Sequence, residues 1–188
     1  MIQRKPLYQG MKVTREEYLD LKDDGFKYDM IDGVLYMSPS AFSEHGECQA
    51  NLSYLFKKYF IKEKNGKVIH EVDLFLPDGE DVLRPDITVI LKENYEIIKG
   101  HIHGVPDIVV EILSESTYKR DLGIKADRYL SNGIKEYWII DPDQGSHEKI
   151  ISLWINIDKK SWKKLEGDRL ESTILPGLTI DQKNVFPE

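Results

Sequence analysis

Two carboxylates stand beside or inside the most apolar stretches of the chain. Asp86 follows Pro85 at the start of the segment DITVIL, and Glu111 lies among isoleucine, valine and leucine in the segment DIVVEIL. An ionised carboxylate in such surroundings is costly unless it is paired, hydrogen-bonded or bound to a metal ion. Glu111 is therefore expected to be a metal ligand, the partner of a basic residue, or a residue at an exposed edge.

The chemistry of the two carboxylates depends on whether their strands are neighbours. If they are, Asp86 and Glu111 converge at matching strand ends, and converging carboxylates repel unless a divalent cation lies between them. Such oxygen ligands suit Mg²⁺ or Mn²⁺, which can activate water for attack on a phosphodiester. Asp107 lies four residues before Glu111, roughly 13 Å away along an extended strand. It is predicted to begin that strand rather than share the metal.

A lysine close to the two carboxylates would hold the attacking water or neutralise the transition state. Leu113 occupies the next position on the same strand face as Glu111, so the strand itself does not supply one. Lys125 lies near the first turns of the following helix, and its long side chain can reach the space beside Glu111. The alternative is an i,i+4 ion pair with Asp121, which contributes only tenths of a kcal/mol.

Hydrophobic periodicity predicts the elements that would position these residues. A helix from about residue 43 to residue 64 has one apolar face, and Gly66 is its predicted stop. Short buried strands cover DITVIL, DIVVEIL and EYWIIDP, and the last two flank a helix that ends at Gly133. That order is typical of a parallel βαβ unit. The predicted fold class is α/β, with a mixed sheet core flanked by helices and additional β-hairpins.

Local signals predict the remaining segments. Thr14 and Glu17 form a capping box at the start of a short helix, and Asp32-Gly33 is a hairpin turn signal. The segment KVIHEVDLFLP alternates as one strand would, whereas residues 92–104, which include two histidines, are predicted to be irregular. The C-terminal part is predicted to form hairpins.

Composition limits the classes of function. The chain has 188 residues, 40% of them hydrophobic and 31% charged, which suits one domain over residues 1–188. It has no apolar run long enough for a membrane span, and no signal peptide is visible. Cys48 is its single cysteine. A cytoplasmic, reducing setting without a membrane partner is expected. The net charge of −7 argues against a strong non-specific grip on nucleic acid but leaves room for a nucleic-acid enzyme whose carboxylates bind metal.

The segments RPDITVI and GVPDIVVEILSESTYKRDLGIKADRYLSNGIKEYWIIDP resemble the Uma-type putative restriction endonucleases of the PD-(D/E)XK nuclease superfamily. The resemblance runs from about residue 28 to residue 141 and implies a restriction-endonuclease-like fold that hydrolyses DNA with Mg²⁺ or Mn²⁺. It implies that Asp86 and Glu111 are the motif carboxylates and metal ligands, with the backbone carbonyl of Ile112 as a further ligand. It also makes Lys125 the motif lysine, displaced from the strand to the following helix.

The resemblance extends to SPSAFSEHGE, because the family tends to carry a histidine at the start of the long helix. This places His45 as an accessory residue that contacts substrate, or alternatively as a packed histidine. Glu44 beside it would complete the metal site from the helix, and the alternative is a capping or surface role. Asp73 is a second accessory candidate. Glu115 departs from the family pattern, which often has a proline there.

The sequence and the resemblance leave three hypotheses for the function, two of them enzymes and one a binding module. The first is a metal-dependent endodeoxyribonuclease with DNA as its substrate, and a homodimer is expected if it cuts duplexes because one metal site cuts one strand at a time. The alternative is a catalytically silent nuclease fold that serves as a binding or assembly module. A hydrolase acting on another phosphodiester is a third hypothesis.

Overall fold

The computed structural model describes residues 5–39, 42–142 and 149–186. In these ranges, no helix is long and apolar enough to cross a membrane. The helices are α1 (Arg15–Leu19), α2 (Ser43–Glu63), α3 (Tyr118–Arg120) and α4 (Ala126–Asn132), with a π-helical turn over Asp121–Lys125 and 3₁₀ helices over Lys92–Ile97 and Gln182–Asn184. The strands are β1 (Lys27–Ile31), β2 (Val34–Ser38), β3 (Gly66–His70), β4 (Leu74–Phe75), β5 (Val82–Leu83), β6 (Ile87–Leu91), β7 (Ile98–Lys99), β8 (His101–His103), β9 (Ile108–Ile112), β10 (Glu136–Asp141), β11 (Ile150–Ile157), β12 (Ser161–Glu166), β13 (Arg169–Glu171) and β14 (Thr179–Asp181).

The sheet that carries the two carboxylates has the strand order β12-β11-β10-β9-β6-β3 within the described residues. β9 and β10 are parallel, and the helical segment between them makes the predicted βαβ unit. β6 runs antiparallel to β9, with Ile87 opposite Val110. Every residue of β6 and β9 is buried, which explains why both strands are almost continuous apolar runs without alternation.

The long helix α2 covers one face of this sheet. Its residues in the shared core repeat at helical spacing and are Cys48, Leu52, Phe56 and Phe60. The helix ends because Lys64 adopts a left-handed conformation, with φ of 54°, and donates its N–H to Phe60 O. The prediction that Gly66 stops the helix is wrong. Gly66 begins β3, where the ring of Phe60 occupies the space that a Cβ would need.

A second sheet, with the order β2-β1-β5-β4-β8-β7, shares a core with the other face of the first. Leu74 and Ile102 of this second sheet pack in one cluster with Val109 of β9 and Tyr129 of α4. Its first two strands form the predicted hairpin, with Asp32 and the following glycine both at positive φ. The second sheet therefore lies against the elements that carry Glu111 and Lys125.

Two segments differ from their predicted structure. The segment KVIHEVDLFLP divides at Glu71, where φ is 51°, into β3 of the first sheet and β4 of the second. Apolar and polar residues alternate on both sides of the break because both halves are β-strands. The sequence pattern therefore gave no sign that the chain changes sheet at Glu71. Residues 92–104 form a 3₁₀ helix and the β7–β8 hairpin, which puts His101 and His103 on a strand rather than in an irregular loop.

The C-terminal segment forms the predicted hairpins. β11 and β12 pair antiparallel around a turn in which Asp158 and Lys159 have positive φ. β13 and β14 form a separate two-stranded sheet. The capping box is also confirmed, because the Thr14 side chain accepts from Glu17 N while Glu17 accepts from Thr14 N.

Candidate active site

A cavity of about 960 Å³ opens where β6 begins, β9 ends and α2 starts. Its walls include the N-terminal turn of α2, the segment after β9, the π-helical turn and the approach to β1. The charged side chains that line it are Lys27, Glu44, His45, Glu71, Arg84, Asp86, Glu111, Glu115, Asp121 and Lys125. The cavity therefore brings together most of the residues singled out in the sequence, although they lie up to 81 positions apart.

Asp86 and Glu111 converge in this cavity, as predicted. Ile87 of β6 pairs with Val110 of β9 in an antiparallel arrangement. The same register, extended by one residue, brings Asp86 opposite Glu111. Asp86 Oδ2 accepts a hydrogen bond from Ile112 N at 2.7 Å, so the side chain of one strand is fixed to the backbone of the other. Ile112 also lines the cavity.

Lys125 lies directly beside Glu111. Its Nζ is 2.5 Å from Glu111 Oε1, 3.0 Å from Asp121 Oδ1 and 3.9 Å from Asp29 Oδ2. We refer to these four residues as the Lys125 cluster. The proposed contact with Glu111 and the alternative i,i+4 pair with Asp121 are both present, because the π-helical turn directs Asp121 and Lys125 toward the same interior space.

The Lys125 cluster is almost completely removed from solvent, with 2–3% exposure for each of its residues. Burial raises the pKa of Glu111 well above its usual range, Lys125 opposes that rise, and the charges of Asp121 and Asp86 add to it. Burial lowers the pKa of Lys125, but the surrounding carboxylates outweigh this effect and raise it. Tyr129 donates a hydrogen bond to Glu111 Oε1 at 2.7 Å and fixes the carboxylate from α4.

His45 and Glu44 occupy different positions at the start of α2. His45 Nε2 lies 3.2 Å from Asp86 Oδ2. Burial lowers the pKa of His45, but the hydrogen bond and charge of Asp86 outweigh it and the pKa is raised. Glu44 is exposed at the edge of the cavity, where Ser43 Oγ donates to its Oε2 at 2.9 Å. His45 thus contacts the candidate metal ligand directly, whereas Glu44 faces the opening.

Asp73 and Asp107 lie outside the cavity lining. Asp73 Oδ1 accepts from the Arg84 guanidinium at 2.6 and 2.7 Å and from Tyr18 at 3.1 Å. Its connection to the cavity is therefore indirect, through Arg84. Asp107 accepts from Leu91 N and is paired with Lys135, which agrees with its predicted place at the start of β9.

Sequence reasoning did not assign a role to Asp29, Arg120 or Tyr129. Asp29 lies in β1 of the second sheet, and Arg120 Nε is 3.3 Å from its Oδ2. An acidic residue inside the apolar strand KYDMI is the same signal that singled out Glu111. The signal was present for Asp29, but no local pattern connects β1 with a helix that starts about 90 residues later.

Comparisons with known proteins identify the family and the fold. A family model described as Uma2, putative restriction endonuclease, matches residues 15–181. The chain belongs to the Uma2 family. The fold is similar to a solved structure from Anabaena variabilis ATCC 29413, described as a putative nuclease belonging to DUF820, with a TM-score of 0.74 and 17% identity over 93% of this chain and 97% of the other. No curated protein matches the chain.

These findings confirm the resemblance and the α/β fold class with mixed sheets and flanking helices. Membership of the Uma2 family supports a nuclease and implies a divalent metal ion. Within residues 5–39, 42–142 and 149–186, no group of three His, Cys, Asp or Glu side chains is arranged to hold a metal by itself. A Mg²⁺ site needs only one or two carboxylates, because water and substrate phosphate complete the octahedron.

The charge of the site fits such an ion. The interior holds four carboxylates and two side-chain cations, which are Asp29, Asp86, Glu111, Asp121, Arg120 and Lys125. The formal charge is −2 when His45 is neutral and all four carboxylates are ionised. Burial raises the pKa of Glu111 first, and repulsion from Asp121, Asp86 and Asp29 adds to the rise. Hard oxygen donors with an excess of negative charge suit Mg²⁺ or Mn²⁺. Asp86 and Glu111, with the Ile112 carbonyl, are the residues that would hold it.

Proposed function

We propose that this protein is a metal-dependent endonuclease that hydrolyses phosphodiester bonds of DNA. The observation that supports it is the convergence of Asp86 and Glu111 from antiparallel neighbours, with Lys125 2.5 Å from Glu111, in a cavity of about 960 Å³. Family membership supports this reaction class, and the cavity supplies residues of the required chemistry. DNA as the substrate, Mg²⁺ or Mn²⁺ as the cofactor, a homodimer and a cytoplasmic location belong to this proposal.

Each residue has a role that its contacts suggest. A bound divalent ion would lower the pKa of its water and stabilise the charge that develops on the phosphate. Asp86 is oriented for ligation by Ile112 N and by His45. The ammonium of Lys125 is fixed at the floor of the cavity, where a permanent positive charge neutralises a developing phosphate charge without reorganisation. His45 can exchange a proton at Nε2 with a group that approaches Asp86.

The negative interior also supports a requirement for a divalent cation. Lys27 is paired with Glu71, and Arg84 is paired with Asp73, so neither cation offsets the excess charge at the floor. A phosphodiester that approaches this interior is repelled unless a divalent ion is present. Together with the net charge of −7, this predicts weak DNA binding without metal and tighter binding with it.

The test is a cleavage screen with Mg²⁺ and Mn²⁺ over plasmid, linear, branched and single-stranded DNA. Asp86→Asn and Glu111→Gln preserve side-chain shape and should abolish metal-dependent cleavage. Glu47→Gln is the matched control, because Glu47 is exposed on α2 and lies outside the cavity lining. Cleavage that persists in both carboxylate variants would refute the assignment of Asp86 and Glu111.

Calorimetric titration with Mg²⁺ and Mn²⁺ separates the nuclease from the catalytically silent module. A nuclease shows heat of binding that depends on Asp86 and Glu111. Absence of both cleavage and carboxylate-dependent binding would favour the module.

A further inference from the structure

We infer that Asp29, in β1 of the second sheet, is the positioning residue that holds Lys125 in the site. This inference rests on the proposed function, since it assigns the part of the fold that fixes the proposed catalytic lysine. Asp29 does not line the cavity, and no sequence motif includes it. The inference depends on contacts that Asp29 makes to both halves of the site.

Asp29 bridges the segment that carries Lys125. Its Oδ2 is 3.3 Å from Arg120 Nε and 3.9 Å from Lys125 Nζ. These two cations lie at opposite ends of the π-helical turn, so one carboxylate fixes both ends of it. Arg120 also donates to Ser38 Oγ at 3.2 Å and lies over the ring of Tyr36. The β1–β2 hairpin therefore contacts the start of this turn through Asp29, Ser38 and Tyr36.

Asp29 also fixes the chain that leads to Asp86. Its Oδ1 accepts the backbone N–H of Arg84 at 2.9 Å, two residues before Asp86. A single buried carboxylate, 2% exposed, therefore connects the approach to the metal-ligand strand with the turn that carries the lysine. Side chains held in this way keep reacting groups in register, and a displacement of about 1 Å can cost roughly 100-fold in rate.

The three carboxylates around Lys125 are not equivalent. Glu111 is a proposed metal ligand, so its oxygens are shared between the lysine and the ion. Asp29 and Asp121 have no such second role, and of these two only Asp29 comes from outside the helical segment. Asp29 is thus the contact that ties the lysine to the second sheet, as Glu111 ties it to the first.

The test is a double-mutant cycle on cleavage rate. Asp29→Asn keeps an oxygen for Arg84 N but removes the charge, and it should lower kcat by about 10- to 100-fold with little change in KM. In a Lys125→Ala background, the same substitution should cost less than about 2-fold, because the side chain through which Asp29 acts is gone. Equal losses in the two backgrounds would mean a general structural effect and would overturn the inference.

Asp81→Asn is the matched control. Asp81 is also a buried aspartate, 3% exposed, which pairs with Arg128 of α4 at 2.5 Å and accepts from Asp32 N. Its hydrogen bonds and ion pairs involve no residue of the Lys125 cluster. The control variant should lose stability while kcat remains within about 2-fold of the wild type, which separates lost stability from lost positioning.

A second measurement does not need activity. The ammonium resonance of Lys125, observed in protein with ¹⁵N-labelled lysine and assigned by its loss in Lys125→Ala, should shift or broaden in Asp29→Asn but not in Asp81→Asn. An unchanged resonance in Asp29→Asn would overturn the inference. If the wild type cleaves no DNA substrate, the nuclease proposal fails, and the resonance alone decides whether Asp29 positions Lys125.

Discussion

Lys125→Met removes the charge at the centre of the Lys125 cluster while it keeps most of the aliphatic stem. Glu111, Asp121 and Asp29 then remain as buried carboxylates without the ammonium that lies 2.5–3.9 Å from them. Loss of one partner from a buried ion pair typically costs about 3–5 kcal/mol. We expect the free energy of unfolding at pH 7 to fall by that amount.

The pH dependence gives the mechanism of this loss. Burial and the neighbouring carboxylates already raise the pKa of Glu111 in the folded protein, and Lys125 is the group that opposes the rise. Without Lys125 the pKa of Glu111 rises further, so the folded state binds a proton over a wider pH range than the unfolded state does. Stability therefore falls as pH rises, by up to about 1.4 kcal/mol per pH unit for one proton. From pH 5 to pH 7 the stability of the variant should fall more steeply than that of the wild type, because the ammonium that opposes the rise in the Glu111 pKa is gone.

The assay is urea unfolding at several pH values, followed by tryptophan fluorescence. Lys135→Met is the control, because Lys135 is half-exposed and its partner Asp107 keeps hydrogen bonds from Leu91 N and Asn94. The control should lose about 1 kcal/mol or less. A Lys125→Met protein that unfolds at the wild-type urea concentration, with no steeper pH dependence, would refute the view of the cluster as a charge-balanced interior.

Three further predictions concern other parts of the molecule. Cys48 is buried, and burial raises the pKa of its thiol to about 11. Alkylation at pH 8 should therefore be slow in the native protein and should accelerate as urea unfolds it, whereas rapid alkylation of the native protein would contradict this burial. Glu136→Ala should cost about 3 kcal/mol or more in unfolding free energy, because buried Glu136 accepts from Trp138 Nε1 and Thr173 N, and a wild-type urea midpoint would contradict it. Glu44 carries a carboxylate at the edge of the cavity, where it adds negative charge or a ligand for the ion, so Glu44→Gln should weaken Mg²⁺ binding measured by calorimetry. Glu47→Gln, outside the cavity lining, should not, and equal affinities would remove Glu44 from the metal site.

Glu136 shows why an acidic residue in an apolar strand is an incomplete signal. It begins β10 and is fully buried, yet its carboxylate is satisfied by donors from residues 172–174 and by Trp138. Its contacts fasten the C-terminal segment to the sheet. Glu111 carries the same sequence signal but lines a cavity beside other carboxylates. An acidic residue in an apolar strand is a signal that the residue is buried and has partners. Only its surroundings show whether it has a structural role, as Glu136 does, or is a candidate metal ligand, as Glu111 is.

The sequence determined the elements whose signals are local. The period of α2, the capping box at Thr14 and the hairpin turn at Asp32 are where they were predicted, because each depends on side chains within a few residues. The parallel βαβ unit was predicted from the order of two buried strands and the helix between them. The absence of alternation in the strands of Asp86 and Glu111 predicted that both are buried in a sheet. Their convergence followed only if the two strands were neighbours, and the structure shows that they are. Family resemblance added the family and the nuclease fold class.

Only the tertiary structure decided which residues surround Lys125. The chain passes from the first sheet to the second at the left-handed residue Glu71, and the second sheet, which includes β1, packs against the helical segment after β9. Asp29 then meets Arg120 and Lys125 across more than 90 positions of sequence, and no periodicity records such a contact. Local propensities determine strands and helices, but the partners of a buried charge depend on how the two sheets pack. The reason is that the free-energy cost of desolvating a charge is offset only by polar or charged groups that the fold brings within a few ångströms.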